Sequence, residues 1–182
     1  MFVCLTGNDD GVVHFEDNED AKDRKVAMGL IGVRTQSGGY ETTPALWDSG
    51  AFPDSYVSFD FLASLGLTGN IKHNLKTHRA ANNNKFQSMG TIKLTVRLPN
   101  KFKFSYDYHV ADISTEMIIG RNLLKSLGAI ISFRKDEIIC INAKRCKVKM
   151  IKVSEWAQLS EITALDFLNG GIPLPDEFQR MF

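Results

Sequence analysis

The sequence has too few cysteines for a disulfide scaffold: Cys4, Cys140 and Cys146 are three among 182 residues, an odd number that cannot pair fully. They read as small buried hydrophobes in a reducing compartment, which places the chain in the cytoplasm. A zinc site built on them is not indicated, because Cys140 and Cys146 match no familiar ligand spacing and have no histidine beside them. An excess of one charge is also missing. Lys and Arg number 22 against 21 Asp and Glu, a net charge of +1, so the whole molecule exerts no general attraction on nucleic acid or an anionic membrane. No apolar run approaches the roughly 18 residues a transmembrane helix needs. The apolar start Met1-Phe2-Val3-Cys4-Leu5 has no basic region before it and an acidic stretch directly after it, which argues against a signal peptide. Internal repeats and low-complexity tracts are lacking too.

What is present is ordinary globular composition, 43% hydrophobic and 24% charged, enough for one domain with short appendages. Residues 1–24 are dense in Asp, Glu and Asn and predict a flexible acidic arm. The folded domain is expected over 25–153, and its signals are those of strands. Lys25 to Thr35 and Tyr40 to Trp47 flank the turn Gln36-Ser37-Gly38-Gly39 and predict a hairpin. Phe59, Leu62 and Leu65 have helical spacing and stop at Gly66. In Thr91 to Leu98 the residues Ile92, Leu94, Val96 and Leu98 share one face, and the turn Pro99-Asn100 leads to a partner strand over Phe102 to Val110. Met117-Ile118-Ile119 runs into Gly120, a short helix follows from Arg121 to Leu127 with a stop at Gly128, and Ala129 to Phe133 resumes as a strand. A last hairpin is expected over Asp136 to Asn142 and Arg145 to Val153. Residues 154–182 predict a C-terminal helix, with Ser154 as N-cap and Trp156 and Leu159 on its apolar side, and then a proline-containing tail.

One stretch carries possible chemistry. Ala45-Leu46-Trp47 is an apolar strand that ends in Asp48-Ser49-Gly50-Ala51. Small residues after the carboxylate let the backbone turn sharply and leave Asp48 facing a ligand. The same letters serve an ordinary Asx or Ser turn, so the triplet alone decides nothing. It is joined downstream by Ile118-Ile119-Gly120-Arg121-Asn122-Leu123-Leu124.

These two blocks in this order resemble the signature segments of retroviral-type aspartic proteases, the retropepsins: an apolar pair before D-[ST]-G-A, then, after a flap hairpin, two apolar residues and a Gly opening a short helix. Arg79 to Asn84 is similar to the flap of gypsy-type retrotransposon proteases, and the likeness covers about Lys25 to Asn142. It implies an all-β fold, a small closed barrel with one or two short helices. It also implies a metal-free and cofactor-free endopeptidase from a retroelement polyprotein or a domesticated copy of one. In that pattern Asp48 is catalytic, Ser49 ties two active loops together, Gly50 permits the tight loop and Ala51 borders the substrate cleft. Ala81, Asn82, Asn83 and Asn84 form the flap tip. Gly120 allows close packing under the loop, and Arg121 seeks a carboxylate, with Asp54 the nearest. A single D-S-G implies that the second carboxylate comes from another copy of the chain, so the expected partners are a second copy and a polypeptide substrate. The sequence departs from the family at Phe52-Pro53-Asp54, an insertion beside the active loop, and in asparagines replacing the flap glycines. These departures keep open the alternative of a silent dimerisation or binding module on the same fold.

The other candidates are weaker. The alternating basic residues from Lys144 to Lys152 suit a sheet edge guarded by lysines. His73, His78 and His109 have no spacing that suggests a metal or a triad.

Overall fold

The alternation and turn chemistry are met by an all-β architecture with two short helices. The computed structural model describes residues 26–51, 54–79, 85–152 and Glu155. The expected acidic arm, Phe52 and Pro53, the flap tip from Ala81 to Asn84 and the C-terminal helix from Ser154 onward lie outside the described residues, apart from Glu155.

Strands β1 (Met28–Arg34) and β2 (Tyr40–Trp47) form the first hairpin, antiparallel from Met28 opposite Leu46 to Arg34 opposite Tyr40. Gly38, at φ +91°, takes the left-handed conformation that its turn needs. β3 (Tyr56–Ser58) leads directly into α1 (Phe59–Ser64), whose N-cap is Ser58, its Oγ accepting the Phe61 N–H at 3.0 Å. Leu62 and Leu65 are buried from this helix as expected. Phe59 is not: it is 37% exposed, because the first helical position points away from the sheet that Leu62 meets.

A long hairpin of β4 (Lys72–Arg79) and β5 (Lys85–Arg97) follows, then β6 (Lys103–Ala111), β7 (Met117–Ile119) and α2 (Arg121–Leu127). Gly128 ends α2 at φ +59°, its N–H donating to helix carbonyls. A separate three-stranded sheet is built from β8 (Ala129–Ser132), β9 (Glu137–Cys140) and β10 (Cys146–Lys149). Its last two strands are shorter than the hairpin expected from the sequence, because a wide turn takes up Ile141 to Arg145. Lys147 and Lys149 face solvent from the edge strand β10, while Cys146 and Val148 are buried, in keeping with a guarded edge.

The main sheet runs β1-β2-β7-β3-β6-β5-β4, and an added β1–β5 pairing bends it into a ring. That seam is short, Gly32 opposite Arg97 and Val33 opposite Val96. Inside the ring, Ile92, Leu94 and Val96 of β5 and Leu98 just after it join Val33, Trp47, Val57 and Tyr108 in one core. Each such aliphatic side chain contributes about 1.5–3 kcal/mol on burial. A one-residue slip of β5 would turn Ile92, Leu94 and Val96 outward together, which fixes the register. Among the described residues no helix is long and apolar enough to cross a membrane.

Candidate active site

β2 and β7 lie side by side and parallel, with Trp47 opposite Ile119. Parallel neighbours end at the same edge, so the loop after β2 and the start of α2 emerge together. Asp48 leaves β2 with its N–H bonded to the Ile119 carbonyl at 3.0 Å. Its Oδ1 accepts the Gly50 N–H at 2.7 Å, and the Ala51 N–H bonds the Asp48 carbonyl at 3.3 Å. The Asx turn is therefore real, and it is the scaffold of an exposed loop: Asp48 is half-buried, while Ser49 and Gly50 are exposed. The loop is tied below by the Arg121 N–H, which donates to the Ala51 carbonyl at 2.8 Å. The Arg121 side chain is exposed at the first position of α2.

Gly120 sits where the loop comes back. A Cβ there would overlap the Asp54 carbonyl oxygen and lie 2.8 Å from the Ala51 oxygen. Its N–H is capped by the Ser55 Oγ at 2.9 Å in a buried contact that crosses from β7 to the segment before β3. Ser55→Ala should therefore leave a buried amide unsatisfied and destabilise the chain by about 1–3 kcal/mol, read as a lowered denaturation midpoint. An unchanged midpoint would mean that the bond contributes nothing.

Asp54, the residue proposed from sequence as the partner of Arg121, meets three other groups. Its Oδ2 accepts from Lys76 Nζ at 2.9 Å and lies 3.6 Å from His78 Nδ1, and its Oδ1 lies 3.4 Å from His109 Nε2. Burial raises the carboxyl, but the Lys76 hydrogen bond with the charges of His109, Lys76 and His78 outweighs it and holds Asp54 below its ordinary value. Burial depresses both histidines. For His78 the charges of His109 and Lys76 act in the same sense against a smaller pull from Asp54, whereas for His109 burial prevails over the upward pull of Asp54, with a lesser downward push from Lys76. Tyr56 completes the group, its hydroxyl 3.1 Å from His78 Nδ1 and pushed up to about 12 by burial and the Asp54 charge.

This cluster had no signal in the sequence. His78 lies on β4, a strand exposed along its length except at His78, and His109 lies on β6. Register irregularities between His73 and Lys76 and between Ser88 and Gly90 turn these strands so that the rings converge. The only usable hint was the burial of a polar residue in an otherwise polar strand, which appears only after folding. His73 is exposed and stands apart from the group. Two clefts of about 810 and 720 Å³ flank α1, and Asp48 lines neither of them.

No protein-family profile matches the chain, and no curated protein does. Among solved structures, it is similar to the crystal structure of the retroviral protease-like domain of Ddi1 from Leishmania major. The two share 19% sequence identity over 70% of this chain and 92% of that one, with a TM-score of 0.49.

Proposed function

We propose that this chain is an aspartic endopeptidase of the retropepsin type, active as a symmetric homodimer on extended polypeptides. The observation that carries the reading is the Asp48-Ser49-Gly50 loop, exposed at the end of β2 and fastened to Ile119 and Arg121 by backbone hydrogen bonds. The order of elements supports it: a hairpin, the D-S-G loop, a strand and short helix, a long β4–β5 hairpin able to serve as a flap, then β7, Gly120 and α2.

The chemistry states what the loop lacks. Cleaving an amide without a covalent nucleophile takes one carboxylate to draw a proton from water and one carboxylic acid to donate to the scissile carbonyl. The single D-S-G triplet supplies one of these per chain. Two copies related by a two-fold axis through the Asp48 loops supply both, with the Ser49 hydroxyls placed to bond across the axis and Ala51 at the border of the cleft. An exposed Ser49-Gly50 loop beside a half-buried Asp48 suits a site closed by a second copy. The flap tip, Ala81 to Asn84, would then cover the substrate.

The test is cleavage of a diverse peptide library by the purified chain, with inhibition by a statine-containing peptide. A chain that binds peptides and never cuts them would be the silent module instead. Because the site is shared, specific activity should fall faster than linearly on dilution, and sedimentation should show a species of about twice the chain mass at concentrations that support activity. A monomer with full specific activity at nanomolar concentration would refute the shared site.

A further inference from the structure

Asp54, His78 and His109 come from three separate segments, yet one donor atom from each lies within 4.8 Å of the other two. We propose that these three side chains form a binding site for a divalent transition-metal ion of the Zn²⁺ class, which ties the segment leaving the Asp48 loop to strands β4 and β6. The inference does not depend on the protease reading.

Two imidazoles and a carboxylate are the donor set that borderline divalent ions select, and three protein ligands leave a position for water. The spacing is close to what an ion needs. With bonds of about 2.1 Å, adjacent tetrahedral ligands stand about 3.4 Å apart. Asp54 Oδ1 stands 3.4 Å from His109 Nε2 and the other oxygen, Oδ2, stands 3.6 Å from His78 Nδ1, so each ring already has a carboxylate oxygen near ligand spacing, and the remaining separations, all within 4.8 Å, close by small side-chain rotations.

The support behind the rings is more telling. Ser88, fully buried on β5, places its Oγ 2.9 Å from His78 Nε2 and 3.4 Å from His109 Nδ1, the nitrogens facing away from Asp54. With an ion on the near nitrogens, both far nitrogens carry hydrogen and donate to Ser88. The Ser88 hydroxyl in turn donates to the Lys76 carbonyl at 3.5 Å. One hydroxyl thus fixes the tautomer and tilt of two ligands, as outer partners of metal sites do. Phe86 stacks on His78 with ring centroids 5.2 Å apart, and Tyr56 packs edge-on against it, giving one dry wall. The cation an ion would replace is a movable one, Lys76 Nζ on a side chain 48% exposed, while the buried Tyr56 hydroxyl, 3.1 Å from His78 Nδ1, would have to give up that contact.

The test is titration of the full-length chain, first stripped with a chelator, with Co²⁺ and then Zn²⁺. The expected result is visible d–d absorption saturating at one Co²⁺ per chain, without thiolate charge-transfer bands, and lost on addition of equimolar Zn²⁺. His109→Gln and Asp54→Asn should each abolish the absorption, and Ser88→Ala should weaken binding by about 10–100-fold. Lys76→Gln, a change at an exposed side chain, should tighten Zn²⁺ binding several-fold by removing a competing cation. A purely structural ion pair gives no reason for that gain. Absence of stoichiometric Co²⁺ absorption, absorption that survives His109→Gln, thiolate bands, or weaker binding in Lys76→Gln would each overturn the site.

Discussion

Asp48→Asn is expected to lower peptide cleavage by at least about 10⁴-fold, because one substitution removes both the base and the acid of a shared site. The fold should persist. Among the described residues the Asp48 side chain holds its loop through its Oδ1, which accepts from the Gly50 N–H, and an asparagine oxygen can accept the same bond. The proposed dimer should persist as well, since an amide at its two-fold axis would remove the repulsion between like charges. In the proposed homodimer the reaction needs one carboxylate as base and one carboxylic acid as donor, so the working form would carry one proton between the two Asp48 groups. Activity should therefore trace a bell in pH. It falls on the alkaline side as the shared proton is lost and on the acid side as both groups become protonated, with a maximum below neutrality. Cleavage of a fluorogenic peptide from pH 3 to 9, for the protein and for Asp48→Asn, checks both statements. Cleavage by the Asn variant at the parent rate would remove the aspartic mechanism.

The second large effect is on stability. Gly120→Ala is expected to destabilise the chain by at least about 3 kcal/mol, beyond the usual range for an added methyl. The reason is not backbone freedom, because Gly120 has φ −82°, which any residue adopts. It is room. The new Cβ would overlap the Asp54 carbonyl, with the Asp54 carbonyl carbon at 2.7 Å and the Ala51 oxygen at 2.8 Å. All of these are backbone atoms, which cannot swing aside as a flexible side chain would. Relief would have to come from shifting the loop that carries Asp48, so activity should fall together with the denaturation midpoint. Gly69→Ala, where a Cβ would meet nothing within 4 Å, is the matched control. Equal midpoints for the two variants would show that the loop yields without resistance.

The elements legible in the sequence were those whose local pattern and tertiary role agree. Ile92 to Leu98 alternate because one face of β5 lines the ring, and Gly66 and Gly128 stop their helices because both take the left-handed conformation. Strand β4 had no pattern of its own in the sequence, since Lys72 to Arg79 have no apolar face and owe their extended form to pairing with β5. β3, three residues long, is too short for any period to register. In the candidate site, Asp48, Gly50 and Gly120 stand in contiguous motifs and could be picked out. The Asp54, His78 and His109 cluster could not, because its geometry comes from irregular strand register and not from spacing along the chain.

The parallel pairing of β2 with β7 has a consequence for the order of events during synthesis. Two of the bonds that fasten the Asp48 loop join it to Ile119 and Arg121, with the β4–β5 hairpin and β6 lying between them in the chain. Contacts so distant in sequence form late, after the local hairpins have closed. A nascent chain emerging from the ribosome can complete β1–β2 and β4–β5 early, yet it holds Asp48 on an unfastened loop until α2 has followed. The carboxylate is thus set in place only once nearly the whole ring exists.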